Sequence, residues 1–381
     1  MKRILSLLLA LVLAALCGVS AFAAPLRFGA DGKYKILLIA DPQDDATPEP
    51  DMVPLIETAI RRTNPDLIVV LGDLVEDWAV STEFGDDGRE RALSYEETLD
   101  NCRAALDFVF APIIASGIPY TAVLGNNDYQ SGVTADDWYA LLRRQEGILL
   151  PETKVYTDGR RDSVLPVLGT DGSEALRLFL LDTGTRGVTR EQVKAFGSLN
   201  DDRNVPALVF QHIPVSEAGY LWQFCFPWEE GAIARGKFFT LRLNTRIASG
   251  DDHGKLWDGD ISRQFLGWKA CGNVIGDYFG HTHNISVEGT YMGVRMGMVY
   301  SDRWSGNYQH GCALLTFDQR DVRDYTWTAY RYTGSVTTGD ASLDAETYTP
   351  YTTYTGIAWL VHQWQGFIGY MQAKIGEIFH S

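Results

Sequence analysis

The sequence predicts an α/β protein whose largely parallel sheet is covered on both faces. Three observations lead there. Apolar runs of strand length recur along the chain: YKILLIA (34–40), LIVVLGD (67–73), IPYTAVLG (118–125), LRLFLLD (176–182) and PALVFQH (206–212). Stretches of helical spacing separate them: PLIETAIRRTN (54–64), the long segment YEETLDNCRAALDFVFAPIIASG, and TREQVKAF. The runs are continuous rather than alternating, as strands buried on both faces require.

Taken in order, the chain opens with MKRILSLLLALVLAALCGVSAFAA. Lys2 and Arg3, the short apolar run Ile4 to Leu16, and Ala21-Phe22-Ala23 as a cleavage site read as a secretory leader over 1–24. A lipidation signal at Cys17 is the weaker reading, because Leu16 stands where a small residue is wanted. STEFGDDGRERA follows the second strand as a polar insert. Residues 215–272 lose the rhythm and are expected to form an insertion overhanging a site. VIGDYFGH, MGVRMGMVY, CALLTFD and YTWTAYRY then restore strand signals in what looks like an antiparallel portion. Residues 333–354 read as a polar, Thr-rich linker. Over 355–381, Ile357, Leu360, Val361, Trp364, Ile368, Met371, Ile375 and Ile378 keep helical spacing, so this is an amphipathic helix. It is expected to dock on its own domain, with a membrane surface as the minority reading; Gln363, Gln365 and Lys374 argue against a span.

Composition excludes some functions. The 381 residues carry a net charge of −16, which repels phosphate backbones and argues against duplex nucleic acid as a partner. Cys102, Cys225, Cys271 and Cys312 are too widely spaced for a disulfide framework and form no CxxC thiolate site. Oligomeric state is open.

The strand ends carry the chemistry. They deliver Asp41-Pro42-Gln43, Gly72-Asp73, Gly125-Asn126-Asn127-Asp128, His212, and His281-Thr282-His283. In open α/β sheets, ligands bind beyond the carboxyl ends of strands. Oxygen donors mixed with imidazole suit Mn, Fe or Zn, and the donors outnumber the needs of one ion. Two ions sharing a carboxylate fit better and would give an acidic protein the local positive charge that a phosphoryl group needs.

The ordered blocks DPQ, GDLVED, GNND, QHIP and GHTH resemble the calcineurin-like metallophosphoesterases, whose usual pattern is D-x-H, G-D, G-N-H-[DE], a lone His and G-H-x-H. SGIPYTAVLGN, TREQVKAF and HIPVSE are similar to the bacterial and fungal branch near the purple acid phosphatases. The resemblance covers about Lys35 to Tyr332. It implies a four-layer αββα sandwich of mixed sheets over 25–332. It also implies one ion held by Asp41, Gln43, Asp73 and His283, and a second held by Asp73, Asn126, His212 and His281, with Asp73 bridging. Implied too is hydrolysis of small phosphate esters, monoesters first, by a hydroxide held on the two ions; the leader over 1–24 makes a secreted enzyme the expectation. Glu76 stands where a purple iron site would need tyrosine, so such a site is not expected.

Two residues depart from the pattern. Gln43 replaces a histidine ligand with a weaker oxygen donor. Asn127 occupies the place of a histidine that stabilises the phosphoryl transition state. An asparagine can donate a hydrogen bond but cannot supply a proton, and general acid catalysis contributes about 10²–10⁴-fold. Asp128 would normally orient that histidine. His253, Arg303 and His310 are the replacements considered. A catalytically weakened, metal-dependent binding protein is therefore the alternative function.

Overall fold

β1 (Lys33–Ile39) is almost wholly buried, as its aliphatic run requires. This strand belongs to a computed structural model that describes residues 25–85, 88–225, 233–235, 238–242, 245–250, 262–283, 285–302 and 310–346. The expected leader and C-terminal helix lie outside the described residues. Helix α1 (Met52–Thr63) ends at Asn64, whose left-handed backbone (φ 44°) returns its N–H to the Ile60 carbonyl just before Pro65. β2 (Leu67–Leu71) is buried throughout. Helix α2 (Asp77–Ser81) follows, and the polar insert folds as a hairpin of β3 (Thr82–Phe84) and β4 (Glu90–Ala92). Helix α3 (Tyr95–Ser116) opens with a reciprocal Ser94–Glu97 capping box and closes on left-handed Gly117. β5 (Tyr120–Val123), α4 (Asn126–Gln130) and α5 (Ala135–Arg143) complete the first half.

The second half starts with β6 (Lys154–Val155), β7 (Arg161–Leu168) and β8 (Glu174–Leu181). Helix α6 (Arg190–Leu199), capped by Thr189 and Gln192, leads to β9 (Ala207–Gln211). β10 (Trp222–Cys225), β11 (Ile233–Arg235), β12 (Phe238–Arg242) and β13 (Thr245–Gly250) come next, followed by helix α7 (Gln264–Cys271). β14 (Val274–Phe279), β15 (Ile285–Tyr291), β16 (Val294–Met298), β17 (His310–Asp318), β18 (Asp321–Thr333) and β19 (Ser342–Ala345) finish the described chain.

Two mixed sheets result. The first has the order β19-β18-β17-β1-β2-β5 and the second β13-β15-β16-β14-β9-β8-β7-β6. β1, β2 and β5 run parallel, as do β8, β9, β14 and β16. The side-chain period of two sorts each strand between two cores. In β1, Ile36 and Leu38 join Leu178, Phe210 and Trp327 between the sheets. Leu37 and Ile39 face outward, beneath α1, α3 and α5. On the other side, Val209 and Met296 pack under Phe196 of α6 and Trp268 of α7, whose rings lie 4.1 Å apart. Helix, sheet, sheet and helix form the expected four-layer αββα sandwich.

Two boundaries differ from expectation. Within the segment expected as a linker, Ser342–Ala345 pairs antiparallel with Tyr330–Thr333 as an edge strand. Ser335 Oγ and the Val336 N–H also bond the Asp51 carboxylate. Polar composition hid a strand that buries little more than Leu343. The insertion also ends earlier than expected, since α7 packs on the second sheet and Trp268 donates its indole N–H to Asp277 at 3.1 Å. β13 extends that sheet beside β15, while β10, β12 and β11 form a separate three-stranded sheet. Cys102, Cys271 and Cys312 are free thiols.

Candidate metal centre

Loops at the carboxyl ends of β1, β2 and β5 in the first sheet meet those of β9 and β14 in the second. The backbone there is contorted. Asp41 (φ 48°), Gln43 (φ 41°), Asp73 (φ 49°) and His281 (φ 69°) all adopt left-handed conformations. Such conformations cost of order 1 kcal/mol or more each and persist only where the surroundings impose them. Here the loops impose them on one another: Asp41 N–H donates to the Gly72 carbonyl at 3.2 Å and Gln43 N–H to the Asp73 carbonyl at 3.0 Å. Glycines make the close approach feasible. A Cβ on Gly125 would fall 2.2 Å from Asp73 Oδ1, and one on Gly280 would fall 2.7 Å from Asp41 Oδ2.

The side chains converge in two groups that share one member. Asp73, His212 and His281 place ligand atoms within 4.8 Å of one another, and so do Asp41, Asp73 and His283. Asp41, Asp73 and His212 are buried, and the ion pairs that reach these carboxylates among the described residues come from histidines. His212 Nδ1 lies 2.8 Å from the Leu71 carbonyl. That contact makes Nδ1 the protonated nitrogen and leaves the Nε2 lone pair for a ligand. Nε2 faces Asp73 Oδ1 at 3.2 Å, Asn126 Oδ1 at 3.0 Å and His281 Nδ1 at 3.2 Å. Acceptor atoms turned on one another at this range call for positive charge between them, a proton on Nε2 or a bound cation, and the donor set fits a metal.

Charge balance without a metal points the same way. Burial alone would depress His212, but Asp73 first and Asp41 next outweigh it and raise its pKa to about 9. Burial, then the neighbouring His212, push His281 down to about 3. The centre thus draws positive charge onto one imidazole.

The other expected residues distribute as follows. Gln43 is buried and turns its amide nitrogen to Asp73 Oδ2 at 3.1 Å, so nitrogen rather than oxygen faces that carboxylate. Asn127 donates its backbone N–H to Asp73 Oδ1 at 2.8 Å. Asp128, expected among the catalytic residues, lies beneath the site. Its carboxylate is fully buried and accepts N–H bonds from Gly125, Leu74 and Val75, tying the β5 loop to the β2 loop. Burial, then Asp73, hold its pKa well above the usual carboxylate range. His310 opens β17, buried, and bridges to Ser301. His253 and Arg303 lie outside the described residues. Ser301, Asp302 and Gln130 were not anticipated. Ser301 Oγ donates to the Asp41 carbonyl at 2.9 Å. Asp302 is buried, and burial followed by Asp41 raises its pKa. Gln130 bonds Asn126, a contact that the four-residue spacing on a helix could have suggested.

The family model of the calcineurin-like phosphoesterases matches residues 34–254, and the chain belongs to that family. Among curated proteins it is similar to two from Arabidopsis thaliana. Probable inactive purple acid phosphatase 14 is 29% identical over 213 residues, which is 48% of this chain and 49% of the relative. Probable inactive purple acid phosphatase 28 is 24% identical over 322 residues, 71% of this chain and 70% of the relative. The chain therefore spans about half the length of the first. Among solved structures, a dimetal phosphatase from Danio rerio shares the fold, with a TM-score of 0.50 at 15% identity over 83% of this chain and 99% of its own.

Proposed function

We propose that the protein is a dinuclear-metal phosphoesterase that hydrolyses small phosphate esters, monoesters first, outside the cytoplasm. The observation that carries the reading is Asp73: one buried carboxylate belongs to both ligand groups, as a bridging ligand must. A pair of cations, when bound, supplies positive charge for a phosphoryl group and lowers the pKa of water. The chain's own residues set the stage. Asp41, Asp73 and His283 would hold one ion, with Gln43 beside them; Asp73, Asn126, His212 and His281 would hold the other. The Leu71 carbonyl fixes the His212 tautomer, and the His281 N–H bonds to both Asp41 oxygens at 2.9 and 3.0 Å fix the register of the two sheets at the site. Export rests on the leader-like residues 1–24, and monoester preference on the family resemblance.

The test is hydrolysis of p-nitrophenyl phosphate with Mn²⁺, Fe²⁺ or Zn²⁺, wild type against Asp73→Asn, with metal content measured in parallel. The wild type should turn over and hold two ions, and Asp73→Asn should lose at least about 10²-fold in rate, as removal of a single electrostatic stabiliser commonly does. Equal rates in the two proteins would overturn the assignment. A second reading, a metal-dependent binding protein with weakened catalysis, is favoured by Asn127 and by relatives that are named inactive. Two bound ions without turnover, together with a large gain in Asn127→His, would select it.

A further inference from the structure

A carboxamide ligand must be held one way round, because one of its polar atoms accepts and the other donates. Two neighbours make that choice at Asn126. Its Nδ2 donates to Asn127 Oδ1 at 2.9 Å and to Gln130 Oε1 at 2.9 Å, which uses both hydrogens. Oδ1 is left facing His212 Nε2 at 3.0 Å. Turned over, the amide would set its oxygen against two acceptor oxygens unless both neighbouring carboxamides turned with it, so reversal takes three concerted rotations.

We infer that Asn127 is a positioning residue: with Gln130 it clamps the Asn126 carboxamide so that the oxygen is presented to the cation shared with His212 and His281. The inference rests on the metal-dependent reading of the site. Asn127 suits the task because its own backbone is pinned by Asp73 Oδ1, and the first turn of α4 is pinned by Asp128. Gln130 stands four residues beyond Asn126 on the same helix face. Asparagine at 127 supplies a neutral acceptor where histidine would supply a proton.

Mn²⁺ binding to the full chain, followed by equilibrium dialysis and calorimetry, reads the clamp without reference to turnover. Wild type should hold two ions. Asn127→Leu keeps the size and removes the acceptor; it should weaken one ion by about 10–100-fold, the usual effect of losing a group that orients a ligand. Gln130→Met should weaken the same ion to a lesser degree. In Asn126→Asp either oxygen can serve, so adding Asn127→Leu there should cost less than about twofold if the two residues act only through each other. Unchanged affinity in Asn127→Leu, or an equal loss in the Asn126→Asp background, would overturn the clamp and leave the two-ion reading standing. Wild type that binds no Mn²⁺ would overturn the functional reading itself. Gln130 is exposed, so Gln130→Met carries the test if Asn127→Leu does not fold, and wild-type affinity there would again overturn the clamp.

Discussion

The two sheets deliver different chemistry to the same seam. The first supplies oxygens and carboxamides, Asp41, Gln43, Asp73 and Asn126; the second supplies imidazoles, His212, His281 and His283. They also differ in how they are braced. The oxygen edge braces itself: Asp41 bonds Gly72, Gln43 bonds Asp73, and Asp128 ties Gly125 to Leu74 and Val75. The imidazole edge leans on its neighbour, since His212 is anchored to Leu71 and His281 to Asp41. A site of this kind is complete only when the sheets are packed, so the apolar layer between them belongs to its chemistry as much as the ligands do.

The comparison can be broken most forcefully in that layer. Phe210 is fully buried between the sheets, two residues before His212. Phe210→Ala should cost about 3–5 kcal/mol by urea unfolding and weaken both ions together. Next comes the self-braced edge. Gly125→Ala drives a methyl into Asp73 and should cost about 3 kcal/mol, with metal content falling by at least one ion. An unchanged midpoint and two bound ions would show that the loop yields more readily than its hydrogen bonds suggest.

A smaller effect sharpens the contrast on the second sheet. Asp162 on β7 is buried, accepts from Tyr156 and Gln192, and has its pKa raised by burial to about 6. A carboxyl whose folded pKa exceeds its unfolded value binds protons more tightly when folded. Its contribution is therefore fully present below about pH 4 and lost as pH rises through about 6, on the order of 3 kcal/mol. Asp162→Asn should flatten the stability profile across that window, and an unaltered slope would place the titration elsewhere.

Much of this was legible in the chain. Apolar runs marked the central strands, and the residue after each run marked the site, because a parallel strand buried on both faces has only its end at which to expose polar groups. What was hidden follows from physics that spacing does not carry. Ser342–Ala345 is polar because an edge strand needs little burial. The bracing by Asp128 was hidden because its three partners are backbone amides, which leave no mark in a sequence. The Asn126 clamp depends on amide orientation, which is a property of the fold. Trp268 was read as part of an irregular insertion because the short helix that carries it shows no clear apolar period.

The Asp128 staple has a consequence for how this protein can vary. Its three bonds join the chain on either side of residues 77–124, so α2, the β3–β4 hairpin and α3 hang from a closed base. Growth or loss at the hairpin tip leaves that base, and the ligands seated on it, undisturbed. The hairpin can therefore change in length while the candidate ligand set keeps its dimensions.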